Sequence, residues 1–287
     1  MSEIQKHKDL VYDVGLHKGE DTDYYVKKGF RVIAFEADPD LAEQCRTRFQ
    51  KEIENGKLTI VEGAIVDSSL EKAQDKVVKF YKNRDNSVWG TVAHDWAHRN
   101  EDLGTSNEII EVPAVSFPDC LKKYGIPHYL KIDIEGMDAV CLEALTQFEE
   151  KPDYLSIESE KVSFSKLTEE IDLLTELGYN KFQAIQQVGV SHQKEPNPSK
   201  EGVYVGYKFH EGSSGLFGKD LASKWKDSKQ ILDQYKYIFL QYRLFGDYGI
   251  LTRTRIGKIF TNTLRKVLRK PLPGWRDTHA KHSSADT

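Results

Sequence analysis

Cysteine is scarce in this chain. Cys45, Cys120 and Cys141 are the only three among 287 residues. An odd number without metal-like spacing argues against a disulfide scaffold or a thiolate zinc site, and predicts buried free thiols in a reducing compartment. Long apolar runs are absent, and nothing approaches the roughly 18 consecutive apolar residues of a spanning helix. The opening MSEIQKHKDL has no apolar core of the kind that directs secretion, so a cytoplasmic location is the expectation. Positive charge is not in excess. The formal net charge is −4, which leaves no global basic field to draw nucleic acid. Repeats and low-complexity tracts are also missing. What is present, 39% hydrophobic and 30% charged residues, is the usual make-up of a soluble globular protein.

The apolar runs alternate with helical patterns from the start. Strands are expected over 10–14, 31–35, 58–61, 77–81, 108–115, 129–134, 154–157 and 181–185, with a last one over 203–208. Helices are expected over 22–28, 39–55, 116–123, 137–145 and 167–177, several of them followed by glycine, which readily ends a helix. Repeated βα units predict a mainly parallel sheet covered on both faces, and right-handed crossovers make it doubly wound. Stretches 82–107 and 187–202 read as long loops, of the kind that often cover a site.

In such a sheet ligands bind beyond the carboxyl ends of the strands, at the switch point. The first strand runs into Asp13-Val14-Gly15-Leu16-His17-Lys18-Gly19. Gly15 lets the backbone pass close to a ligand, and Gly19 opens the following helix. A dinucleotide site normally begins with glycine, because a pyrophosphate must approach bare amides. Here the first position is Asp13, and Glu20 and Asp21 follow in the first helical turn. A carboxylate at Asp13 repels a phosphate but suits a cofactor carrying an ammonium and a sulfonium, as S-adenosylmethionine (SAM) does, and Glu20 and Asp21 also argue against a phosphate cradle. A plain strand–helix turn with a solvent-facing aspartate is the simpler alternative.

Glu36 ends the second strand, 23 residues after Asp13. That is the position from which an acid grips a ribose diol. Thr22 and Ala37 fall beside these groups and join the expected cofactor set. Past the third strand, Ala64 and Ile65 are small and apolar enough to form a slot for adenine; an ordinary strand terminus would look the same.

The segment Lys131-Ile132-Asp133-Ile134-Glu135-Gly136 is the sharpest anomaly. A central parallel strand should be apolar on both faces. If this one is regular to its end, Lys131, Asp133 and Glu135 share one side. Three ionisable groups there are costly unless paired or functional. An internal Lys131–Asp133 ion pair is the structural alternative, and both readings hold if Lys131 orients a working acid.

These pieces together resemble the FkbM family of SAM-dependent O-methyltransferases. The resemblance rests on VYDVGLHKGEDT, VIAFEADP and LKIDIEGMD, more loosely on PDYLSIE, and on the phrases GSSGLFG and PGWRDTHA further on. It implies a Rossmann-like class I methyltransferase sheet of seven strands, the last antiparallel, with helices on both faces. It implies Asp13, Gly15 and Gly19 around the methionine part of SAM, Glu36 on the ribose, and Asp133, Glu135 and Gly136 bordering methyl transfer. Many members carry a small residue and asparagine where this chain has Leu16-His17, which puts the loop contacts in question. The expected division is a SAM-binding domain over 1–210 and a C-terminal helical extension over 211–287, packed on or near the site.

Transfer to a hydroxyl needs alignment and a base. Asp133 and Glu135 are the candidate bases, with Lys131 as an orienting group, and Asp133 is also placed against the cofactor. Asp133 and Glu135 offer oxygen ligands to a divalent metal such as Mg²⁺. His279 enters as a candidate base through the resemblance alone; by spacing it reads as a polar tail. The acceptor class expected is a sugar, glycolipid or small secondary metabolite, and not nucleic acid. Residues 251–270 hold seven Lys or Arg and no acid, a pattern that suits a basic amphipathic helix meeting anionic lipid, or more simply a solvated face. Two other readings stay open: an NAD(P)-dependent oxidoreductase, against which Asp13 speaks, and a non-catalytic SAM-binding protein.

Overall fold

The computed structural model describes residues 4–67, 77–160, 163–210, 212–222, 224–245, 249–252 and 274–286, with 254, 257, 259 and 263. In chain order the elements are β1 (Lys6–Val14), α1 (Glu20–Lys27), β2 (Arg31–Glu36), α2 (Pro39–Arg48), α3 (Gln50–Glu54), β3 (Leu58–Glu62), β4 (Ala64–Ile65) and β5 (Val77–Asn83). Then come α4 (His94–Asp102), β6 (Asn107–Val115), α5 (Phe117–Tyr124), β7 (Ile126–Ile132), α6 (Asp138–Leu145), β8 (Tyr154–Glu158), α7 (Phe164–Glu176), β9 (Tyr179–Gln186), α8 (Ser228–Phe245) and β10 (Arg276–His282).

Seven strands form one sheet in the order β3-β2-β1-β7-β8-β10-β9. The pairs among β3, β2, β1, β7 and β8 are parallel, and β10 is antiparallel to both its neighbours. Alternation along the strands divides the core. Tyr12, Val14, Ile33, Phe35, Leu130, Ile132, Leu155 and Ile157 pack with residues of α5 to α8. Val11, Val32, Ala34, Tyr129 and Tyr154 pack with Tyr24 and Tyr25 of α1 and with Phe209, Leu216 and Phe217. Helix starts are set locally: Asp38, Ser116 and Ser163 cap α2, α5 and α7 with their side chains. Between β3 and α5 the chain builds a second, three-stranded sheet in the order β4-β6-β5.

Several expectations are corrected. The last strand is not 203–208, which has no regular structure. It is β10, read in sequence as a tail because its residues are mostly polar. Asp277, Thr278 and His279 are nevertheless buried. Thr278 can be, since its hydroxyl lies 2.8 Å from Ser159 Oγ and 2.7 Å from Tyr235 Oη. The part over 211–287 is therefore not simply a helical extension: it supplies α8 and a strand inside the same sheet. The helix expected over 39–55 breaks at Phe49, whose φ of −109° and ψ of 27° leave the helical region. The loop expected over 82–107 contains α4. Strand β7 ends at Ile132, two residues early. The amphipathic helix expected over 251–270 lies mostly outside the described residues. Among those described, no helix is long and apolar enough to cross a membrane.

Candidate active site

A cleft opens beyond the carboxyl ends of β1, β2 and β7, where the strand order reverses. It encloses about 850 Å³ of atom-free space, counting its open mouth. Of the residues singled out in the sequence, Gly15, Glu36, Ala37, Ala64, Ile65, Lys131, Asp133 and Glu135 line it; Asp13, Gly19, Thr22 and His279 do not.

Gly15 is demanded by close approach. Its φ is +96°, and a Cβ there would lie 2.0 Å from the Asp133 carbonyl oxygen. The loop after β1 thus rests on backbone at the end of β7. Gly15→Ala is expected to destabilise the fold by about 2–4 kcal/mol, through strain at positive φ and overpacking. A urea midpoint equal to wild type would contradict this contact. Gly19 serves packing instead: it precedes α1 at φ +78°, and a Cβ would meet the Phe49 ring at 2.4 Å.

Asp13 does not face the cleft as expected. Its carboxylate is fully buried, accepting from Thr22 Oγ1 at 2.7 Å and from Lys131 Nζ at 3.1 Å. Asp13, itself held by Thr22, therefore holds Lys131. The same ammonium donates to the Gly15 carbonyl at 2.9 Å and lies 3.6 Å from Asp21 and 3.9 Å from Asp133. Burial works against its charge, but the surrounding carboxylates prevail and hold it well above the usual lysine range. Asp21 also accepts the Ser214 N–H on both oxygens, at 2.8 and 3.0 Å. Burial pushes Asp21 up to about 7, against the pull of Lys131.

Glu36 is 8% exposed. Oε2 accepts the His17 N–H and Oε1 the Asp38 N–H, each at 2.8 Å. Each oxygen keeps a further lone pair, so the acid retains capacity for two hydroxyls. Burial pushes it up to about 7, opposed by those two N–H groups.

Past Ile132 the regular alternation stops. Glu135 has φ 44° and Gly136 φ 91°, which makes this a left-handed turn. Asp138 ties it, accepting from the N–H groups of Ile134 and Gly136 at 3.0 and 3.3 Å. Asp133, its side chain 45% exposed, and Glu135 reach the cleft from a turn rather than from one face of a strand. Among the described residues no group of three or more His, Cys, Asp or Glu is placed to hold a metal. The expected metal on Asp133 and Glu135 therefore finds no support in the structure.

His279 sits inside the sheet, opposite Ser156 and Gln183. It is buried, and desolvation drives its pKa down to about 3. A neutral imidazole away from the cleft is not placed to act on an acceptor there.

The cleft also uses residues that the sequence reading did not single out as site residues. Glu20 and Asp21, which in sequence argue only against a phosphate cradle, line it. His17, Met137 and Gly212 line it too, as do Phe80, Val88, Gly90, Thr91 and Val92. The last five belong to the insertion around β5 and carry no motif, so the sequence offered no signal for them.

The family model described as the methyltransferase FkbM domain matches residues 13–181. No curated protein matches the chain. Among solved structures, a precorrin-6y C5,15-methyltransferase from Geobacter metallireducens GS-15 is 14% identical with a TM-score of 0.33, covering 64% of this chain and 71% of that one. A precorrin 8W decarboxylase from Methanobacterium thermoautotrophicum is 14% identical with a TM-score of 0.34, covering 64% and 70%. A SAM-dependent methyltransferase from Geobacter sulfurreducens, in complex with S-adenosyl-L-homocysteine, is 11% identical with a TM-score of 0.34, covering 97% and 86%. Likenesses of this size carry nothing about ligand or reaction.

Proposed function

Because the chain belongs to the FkbM methyltransferase family, we propose that it moves a methyl group from SAM to a hydroxyl oxygen of a sugar, glycolipid or small secondary metabolite. The observation that carries this reading is Glu36: a buried acid at the end of the second strand, held by two backbone N–H groups and lining the cleft. It is suited to a ribose diol. The rest of the cleft fits the same donor. Glu20 and Asp21 lie where an ammonium would be favoured, and Ala37, Ala64 and Ile65 offer a small apolar slot for adenine. Bound SAM supplies a methyl group activated on a sulfonium. The chain's own part is to align the acceptor, which is worth roughly 7–11 kcal/mol, and to take its proton. We assign that proton to the Asp133 carboxylate, with Lys131 as the neighbour that positions it. Three unpaired cysteines support a reducing, cytoplasmic setting.

Two measurements test this. S-adenosylhomocysteine (SAH) at a hundredfold excess over Kd should raise the melting temperature by about 5–10 °C, and NAD should not. A rise with NAD alone would defeat the assignment. With hydroxylated acceptors pooled, Asp133→Asn should cut SAH release by about 10²–10⁴-fold while SAH still binds.

A further inference from the structure

The two residues that hold Glu36 also hold the opposite wall of the cleft. His17 gives its backbone N–H to Glu36 Oε2, and its imidazole Nε2 lies 2.8 Å from Ser87 Oγ. Asp38 gives its N–H to Glu36 Oε1, and its Oδ1 accepts from Lys82 Nζ at 2.9 Å. Ser87 and Lys82 belong to the insertion whose Phe80, Val88, Thr91 and Val92 line the cleft. One carboxylate is thus joined, in two steps on each side, to two points of the wall that faces it.

The arm through His17 is peculiar to its residue type. His17 has φ 50°, a left-handed conformation in which asparagine and histidine are enriched. Asparagine would satisfy the backbone there, but its shorter side chain would not span to Ser87. The imidazole also lies 3.3 Å from Glu20 through Nδ1, so the ring is held from both sides.

We infer that Glu36, His17 and Asp38 form a yoke through which occupation of the ribose position sets the wall built by residues 80–92, so that bound cofactor completes the site for the acceptor. This rests on the SAM reading above. The physical basis is restraint: a diol donating to the remaining lone pairs of Glu36 fixes the carboxylate, and a fixed carboxylate fixes both N–H groups and the side chains beyond them. By reciprocity an acceptor resting on the wall tightens the cofactor. His17 and Asp38 are positioning residues.

Hydrogen exchange on the full chain, with and without SAH, tests the yoke. In wild type SAH should slow the amides of 80–92 by about tenfold. In a Ser87→Ala, Lys82→Met double variant that ratio should fall to about twofold, while calorimetry finds SAH affinity within about threefold of wild type. Ser87→Ala, a surface change, should lose part of the ratio. A merely structural tether would raise exchange equally with and without SAH and leave the ratio unchanged. That result, or no SAH-dependent protection in a wild type that binds SAH, overturns the yoke and leaves the cofactor assignment standing. Failure of wild type to bind SAH overturns both.

Discussion

Lys131→Met is expected to destabilise the folded chain by about 3–5 kcal/mol at pH 7, the usual consequence of removing one partner from a buried ionic group. Methionine fills similar space, so the loss reports charge rather than volume. The ammonium sits among Asp13, Asp21 and Asp133 and satisfies the Gly15 carbonyl. The pH dependence gives the test its sign. Asp21 is already pushed up to about 7 by burial against the attraction of Lys131. Without that attraction its folded pKa rises further above the unfolded value. A group so shifted binds more protons folded than unfolded, so the variant regains stability as pH falls from the folded pKa toward the unfolded one near 4. Urea unfolding at pH 8 and pH 5 measures this. A deficit under about 1 kcal/mol at both would mean that Lys131 does not balance these carboxylates.

Glu36→Gln is expected to weaken SAH binding about 10- to 150-fold, since hydrogen bonds to a charged acceptor contribute roughly 1.5–3 kcal/mol. The amide keeps the shape but replaces one acceptor by a donor, which also faces a backbone N–H. Burial pushes Glu36 up to about 7, against the two N–H groups that hold it. Hydroxyl donors favour the ionised form, so binding releases a proton. Wild-type affinity should therefore fall by up to about tenfold per unit as pH drops below 7, and level off above it. The glutamine variant should show no such slope. Calorimetry across pH 5.5–8.5 compares them, and parallel profiles would remove Glu36 from the cofactor site.

The parallel part of the sheet is readable in sequence because a helix separates β1 from β2, β2 from β3, β7 from β8 and β8 from β9. The sequence also placed Gly15, Glu36 and the 131–135 segment correctly at the carboxyl edge, since spacing alone puts them there. It could not say what Asp13 does. A carboxylate announces its charge, but its partner Lys131 stands 118 positions away, and only the register of β1 against β7 brings them together. Alternation stops where β7 ends at Ile132, and a left-handed Glu135 looks like any other residue in a string of letters. Within the insertion the strands over 77–81 and 108–115 are legible, but 82–107 reads as a loop because its cleft-lining Val88, Gly90, Thr91 and Val92 carry no periodic signature. β10 was missed for the opposite reason. Its polar residues concealed a buried strand whose hydroxyl is satisfied by Ser159 and Tyr235, groups far off in the chain.

The position of β10 between β8 and β9 governs the order of assembly. Both flanking strands are translated long before residues 276–282, and neither can close on the other without leaving the wrong edges joined. During synthesis each must wait with an open row of amides and carbonyls, a template for mispairing with neighbouring chains. The enzyme's final architecture thus becomes available only once its distal residues have emerged, and chaperone demand should be greatest in that interval.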